Sequence, residues 1–410
     1  MEKQIFLCAF MAILALSCKD RKKSDKNNME QMKTSAEADS GSFAYDLKFL
    51  KKWDSGLIVL QSDESEVAVS SKYQAKVFTS TAKGKTGKSL GWINYSAFSK
   101  TDQHMNAYGG ENRFWLGPEG NAFSLYFEPG DEMVFENWKT PAPIDTEAWK
   151  IQKQNDSAVV MESNMELKNY AGNQFKLKAT RTVTLLSNAR IEETLGVGTS
   201  GVSAVAYRTE NTITNTGDHI WTEKTGAPCI WILDMFPPSD RTTIFIPYNK
   251  DVKGHVATTD YFGQIPEERI SYEEGMLFFK ADGKSRGKLG IPPKRATHIA
   301  GSFDGLNNIL TITVFDVDAK ATYLNQEWNL QADPFEGDAI NAYNDGPLDD
   351  GSQMGPFYEL ESVSPAAFLA PAETMGHNHT VYHFIGETKE LDKLVKSIFG
   401  TTIENIANAL

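Results

Sequence analysis

Glu359 and Glu361 stand two residues apart in the segment Phe357-Tyr358-Glu359-Leu360-Glu361-Ser362-Val363-Ser364-Pro365. On a strand, where side chains alternate, that spacing turns both carboxyls to one face. Buried there, two like charges raise the pKa of at least one, which suits a general acid or base; on a solvated face they are two exposed glutamates. In Met375-Gly376-His377-Asn378-His379-Thr380-Val381-Tyr382-His383-Phe384, His377 and His379 share a strand face in the same way, with His383 further along it. A His-x-His pair beside a carboxylate can ligate a metal, but neither an HExxH motif nor a cysteine-rich cluster accompanies it. The histidines are therefore read as hydrogen-bonding or proton-transferring groups, and no metal is expected. A third segment, Tyr108-Gly109-Gly110-Glu111-Asn112-Arg113-Phe114-Trp115-Leu116-Gly117-Pro118-Glu119-Gly120, joins paired glycines to Arg113, Trp115 and the carboxylates Glu111 and Glu119. A fork of donors, a flat apolar ring and carboxylates match a sugar, which offers hydroxyls at its edges and C–H patches on its faces. A tight surface loop with an internal Arg–Glu pair has the same composition.

These segments need a scaffold, and the surrounding pattern predicts strands. Leu57-Ile58-Val59-Leu60, Glu66–Ser70, Ala75–Thr81, Ala122–Phe127, Phe175–Leu185, Ala204–Asn215 and Ile309–Phe315 combine β-branched residues, alternation and polar breaks. Helical spacing appears only at Tyr45–Trp53 and Lys389–Phe399. Strand following strand, with the turn signal Asn215-Thr216-Gly217-Asp218 between two of them, predicts an antiparallel all-β body of sandwich type with short N- and C-terminal helices. No repeat of fixed period and no internal linker divides residues 43–410, which are expected to form one domain.

At its C-terminal end the sequence resembles galactose mutarotase (aldose 1-epimerase). The resemblance rests on Leu360-Glu361-Ser362 with Pro365, on Leu369-Ala370-Pro371-Ala372-Glu373, where Ala372 stands in place of the family's glycine, and on Thr380-Val381-Tyr382-His383-Phe384. Asn211–Asp218 resembles the mid-chain strand and turn of the same superfamily. Residues from about 45 to 400 are similar to a bacterial lipoprotein family within it, through Gly91-Trp92-Ile93-Asn94-Tyr95, Gly109–Gly120, Thr140–Thr146 and Asn341-Ala342-Tyr343-Asn344-Asp345-Gly346-Pro347. The resemblance implies a β-supersandwich with a carbohydrate cleft on a concave face. It assigns Glu361 as the base that takes the anomeric hydroxyl proton and Arg113 as a sugar-binding arginine. Glu359, His377 and His379 are carried with Glu361 as catalytic candidates, and Glu111, Trp115, Glu119 and Asn344 with Arg113 as binding candidates. One departure is plain: the stretch Ile220–Phe236, where mutarotases carry the acid histidine, has none. The expected function is acid–base chemistry on a sugar, without a cofactor. The alternatives are a non-catalytic glycan-binding protein, or a hydrolase or lyase on the same fold.

The chain has 410 residues and a formal charge of −13, of which the first 42 residues carry +1 and the rest −14. Such an acidic body excludes a backbone-driven nucleic-acid binder. Ile5–Leu16 is an apolar run of signal-peptide length, closed by Ala15-Leu16-Ser17-Cys18, which looks like a lipobox. Residues 1–17 are expected to leave as a signal, Cys18 to carry lipid, and 18–42 to tether the domain to the bacterial cell envelope, at the periplasmic or outer-membrane surface. Lipid is the only expected membrane contact, and the protein is expected to be a monomer. Cys8 leaves with the signal, so Cys229 has no disulfide partner and is read as a small buried hydrophobe.

Overall fold

Antiparallel pairing organises nearly everything in the computed structural model, which describes residues 39–410. The expected signal segment 1–17, Cys18 and the tether as far as residue 38 lie outside the described residues. The largest sheet has ten strands in the order β11 (Ile270–Glu273), β12 (Met276–Lys280), β10 (Thr242–Pro247), β14 (Ile299–Asp304), β15 (Ile309–Phe315), β18 (Thr374–Gly386), β8 (Val202–Asn215), β7 (Gln174–Leu185), β6 (Ala158–Lys168) and β5 (Lys150–Gln154). A second sheet has five, in the order β13 (Gly287–Ile291), β16 (Ile340–Asn344), β17 (Tyr358–Val363), β9 (Cys229–Phe236) and β4 (Arg113–Gly117). A three-stranded sheet, β1 (Ile58–Ser62), β2 (Ser65–Ser70) and β3 (Lys76–Thr81), completes the expected antiparallel β-supersandwich.

The two large sheets pack face to face. Phe114, Leu116, Ile230, Ile232 and Leu360 of the small sheet meet Val205, Tyr207, Leu177 and Val183 of the large one in a common buried core. Part of the outer face of the large sheet, around β8, β18, β15, β14, β10 and β12, is covered by α3 (Asn188–Leu195), α4 (Thr388–Phe399) and α5 (Ile403–Asn408), after α1 (Phe43–Trp53) and a one-turn α2 (Ala142–Asp145) earlier in the chain. Helix α4 buries Leu391, Leu394 and Val395 on one stripe and stops at Gly400, whose φ of +69° makes the left-handed cap that glycine favours. Helix α1 opens on Ser42, whose Oγ accepts from the Tyr45 amide at 3.3 Å, and buries Phe43, Leu47 and Leu50 against Ala68 and Phe78. Among the described residues no helix is long and apolar enough to cross a membrane.

One expected strand is absent. Ala122–Phe127 forms an irregular loop, folded back so that the Leu125 amide donates to the Pro118 carbonyl and Tyr126 Oη to the Leu116 carbonyl. Its apolar alternation reflects burial of Leu125, Tyr126 and Phe127 under β4, without any ladder. Helix α3 was outside the expected pattern because eight residues between two turns carry too little periodicity; it is bounded by the Ser187 cap and left-handed Gly196.

Candidate active site in the five-stranded sheet

The sandwich leaves the outer face of the small sheet uncovered by another sheet, and alternation decides which side chains stand on it. In the register, Glu361 lies opposite Leu233 and Asn341, and Glu359 opposite Met235 and Tyr343. Arg113 also pairs with Leu233, Trp115 with Trp231, and Lys288 with Tyr343. Directly paired residues share a face, so β4, β9, β17, β16 and β13 together present Arg113, Trp115, Trp231, Glu359, Glu361, Tyr343 and Lys288 on one side. All of these but Glu361, which lies buried beneath its neighbours, floor a cleft whose walls include Glu119, Trp138, Phe262, Arg286 and Trp328 from loops.

The two glutamates are held differently. Arg113 Nη2 donates to Glu359 Oε1, while its guanidinium lies 5.0 Å from the Trp115 ring centre. Lys288 Nζ sits 3.1 Å from Glu361 Oε2, and Trp231 Nε1 donates to that same oxygen at 2.7 Å. Among the described residues, Glu361 Oε1 is buried with no hydrogen-bond partner. Burial pushes the Glu359 carboxyl up to about 8; the Arg113 charge opposes the shift and the Glu361 charge adds to it. Burial also raises Glu119, with Lys288 opposing and Glu361 reinforcing. For Lys288, burial works against the ammonium, yet Glu361, Glu119 and Glu359 together more than offset it and hold its pKa above the ordinary lysine value. Glu361, bonded to Lys288 and Trp231, and the Glu359 carboxyl, inclined to keep its proton, therefore stand roughly 7 Å apart along the strand backbone.

Aromatic rings form one wall. Trp138 stacks on Tyr126 at 5.7 Å with 8° between planes, and on Trp328 at 6.1 Å with 24°. Trp328 reaches the cleft because its loop packs against Gly120, where an added Cβ would lie 1.9 Å from the Glu327 carbonyl oxygen. Flat rings beside hydrogen-bonding carboxyls and cations suit a ligand with apolar faces and polar edges.

Four expected site residues lie elsewhere. His377 and His379 project from β18 into the sandwich interior, where Ser362 Oγ lies 2.8 Å from both His377 Nε2 and His379 Nδ1, and His379 Nε2 lies 2.7 Å from Asp234 Oδ2. Ser362 points opposite to Glu361 because consecutive strand residues alternate, so the small sheet separates these imidazoles from the carboxyls they were expected to assist. Burial, reinforced by His379, lowers His377 to about 3 and keeps it neutral. Glu111 is also internal, accepting from Ser80 Oγ at 2.7 Å with His383 Nε2 at 3.1 Å. Asn344 is occupied in clamping a loop: its Oδ1 accepts from the Gly283 amide at 2.9 Å and its Nδ2 donates to the Ser285 carbonyl at 2.8 Å. The expected grouping of Glu111 and Asn344 with Arg113 is thus corrected, whereas Trp115 and Glu119 do line the cleft with it. Among the described residues no three or more His, Cys, Asp or Glu side chains are gathered to hold a metal ion. Cys229 is fully buried, and burial pushes its thiol up to about 12.

Lys288, Arg286, Trp231 and Trp328 escaped the sequence reading. Each comes from a different strand or loop, and none belongs to a motif. Lys288 itself carries no distinguishing local signal, since Asp282, Lys284 and Arg286 precede it in the same charged turn and strand start.

Fold and cleft together define an all-β supersandwich protein with a cleft of carboxyls, cations and aromatic rings on its smaller sheet. Residues 41–410 match the profile of a family of unknown function, DUF6786, and the chain belongs to that family. Comparison with curated protein sequences finds no match. Among solved structures, the chain is similar to a protein from Synechocystis sp. PCC 6803, at 13% identity and a TM-score of 0.49, covering 81% of this chain and 96% of that one. A galactose mutarotase-like protein from Lactobacillus casei matches at 11% identity and a TM-score of 0.46, over 80% of this chain and all of the other (100%). A galactose mutarotase related enzyme from Lactobacillus acidophilus matches at 6% identity and a TM-score of 0.45, over 80% and 97% of the two chains.

Proposed function

We propose that the protein binds a carbohydrate in this cleft and transfers protons at its anomeric centre, as an aldose epimerase does. The observation that carries this reading is the pairing of Glu361, whose Oε2 is held by Lys288 and Trp231 and whose Oε1 is unpartnered, with Glu359, whose carboxyl is raised to about 8. Glu361 Oε1 takes the proton of the anomeric hydroxyl, the electron pair forms the carbonyl, and the bond from the anomeric carbon to the ring oxygen breaks. Glu359 gives its proton to that oxygen. The open sugar rotates and recloses on its other face, returning both protons, so no cofactor is consumed. Glu359 thereby takes the part the resemblance would give to a histidine.

The test is α/β anomer exchange by NMR over a panel of free sugars. Exchange accelerated by the protein, and slowed at least about 100-fold by Glu361→Gln, is the expected result. Ligand saturation transfer without faster exchange would leave a binding protein. A second reading, glycan cleavage, draws on Glu119, a third carboxyl in the same cleft; release of reducing ends from oligosaccharides, lost in Glu119→Gln, would favour it. We also propose that Cys18 carries lipid and holds the domain at the cell envelope, on the strength of the Ala15-Leu16-Ser17-Cys18 pattern.

A further inference from the structure

The cleft contains three cations, and two of them have carboxylate partners: Arg113 with Glu359 and Lys288 with Glu361. Arg286 is the third. Its guanidinium lies 4.0 Å from the Phe262 ring centre, and its Nε donates to Tyr343 Oη at 3.3 Å. Among the described residues, Nη1 and Nη2 have no acceptor and no carboxylate stands within ion-pairing distance. Of the nearby acids, Asp282 is gripped by Arg269 at 2.6 Å and Asp345 accepts from Tyr343 Oη at 3.1 Å and from the Gly355 amide at 2.8 Å, while Glu119 shares the cleft and feels the Arg286 charge without ion-pairing contact. The ring and the tyrosine fix the guanidinium plane, leaving its terminal fork directed at the cleft it lines.

Resting on the carbohydrate reading, we infer that the ligand is an acidic sugar whose anionic substituent, a carboxylate or a sulfate or phosphate ester, is bound by Arg286. Arg286 precedes Lys288 by two residues, so one strand repeat, roughly 7 Å, separates them. Lys288 holds the base that addresses the anomeric centre. In a pyranose the exocyclic carbon sits on the ring carbon that shares the ring oxygen with the anomeric carbon, so an anionic group on it falls beside the anomeric centre, within reach of a second long cation two residues from Lys288. A planar fork accepts two oxygens of such a group at once. In a body carrying −14, an unpaired cation in a cleft is also the feature that admits an anion.

The experiment compares matched sugars on the full chain: galactose, galacturonate and galactose 6-sulfate, then glucose, glucuronate and glucose 6-phosphate. Dissociation constants are measured at low and high salt. At low salt the acidic members are expected to bind about tenfold tighter than their neutral partners or better, with the preference shrinking as salt rises. Arg286→Gln should collapse the ratio to near one and Arg286→Lys should restore part of it; the thermal unfolding midpoint of both variants reports that they fold. Carboxylate against ester members of the panel identify which anion is preferred. Equal binding of neutral and acidic sugars, or a preference that survives Arg286→Gln, overturns this inference and leaves the carbohydrate reading standing. Absence of binding by every sugar overturns both.

Discussion

Glu359 and Glu361 stand on the same face of one strand, Glu359 lining the cleft and bonded to Arg113, Glu361 buried beside it and bonded to Lys288 and Trp231. Their different surroundings give a signature in pH. A carboxyl raised to about 8 in the native protein keeps a proton that the unfolded chain releases near its ordinary value of 4.5. Between those limits the native state binds more protons, so stability is fully present below the lower value and falls as pH rises towards 8. His377 works the other way: lowered to about 3, it costs stability as pH falls below the ordinary histidine value of 6.5. Asp338, raised by burial to about 6, has finished titrating above that pH. From about 7 to 8 both have largely titrated, but Lys76, which burial lowers to about 7, adds a rise of stability with pH that opposes Glu359, so Glu359 is read from the difference between parent and variant. Urea midpoints should fall more, or rise less, across this window in the parent than in Glu359→Gln, while anomer exchange in the parent falls off above about pH 8 as the acid is lost. Matching slopes in parent and variant would remove Glu359 from the role of acid.

The elements that carry these residues meet at turns, and one turn keeps a conformation its residue does not favour. Ala372, between β17 and β18, has φ of +70°, the left-handed region where a Cβ costs about 1–2 kcal/mol. The surrounding bonds hold it there: its amide donates to the Asn215 carbonyl at 2.8 Å, Asn215 Nδ2 donates to the Leu369 carbonyl at 2.9 Å, and Glu373 Oε2 accepts from the Ala370 amide at 2.8 Å. Ala372→Gly should raise stability by up to about 1 kcal/mol, the released strain exceeding the added freedom of glycine in the unfolded chain. A denaturation midpoint unchanged or lowered would contradict that. This turn was legible in the sequence, as were the strands, because both leave short-range marks: Pro371-Ala372-Glu373 in the first case and alternation in the second. The shared face of Glu359 and Glu361 was legible for the same reason, since it depends on one strand alone. Where His377 and His379 point relative to that face was not, because the answer depends on β18 joining the large sheet while β17 joins the small one. Pairings 145 residues apart, such as His379 with Asp234, leave no local pattern. Lys288 and Trp231 converge on Glu361 through the same long-range pairing, and no spacing between them announces it.

For the molecule as a whole, the distribution of charge bears on how it would be held at a surface. The body carries −14, and anionic lipid headgroups repel it rather than draw it in. The first 42 residues, at +1, add almost no attraction. Under the proposed anchoring, retention comes from acyl chains on Cys18, which bind by burying CH₂ groups and are indifferent to ionic strength. Two results follow for the expressed full chain. The parent should sediment with membranes and stay there through a high-salt wash, because no ion pairs are being screened. Cys18→Ala should appear in the soluble fraction and take up no labelled fatty acid. A salt wash that frees the parent would point to a basic contact that the charge distribution does not supply, and a Cys18→Ala protein that still labels and sediments would place the anchor at another residue.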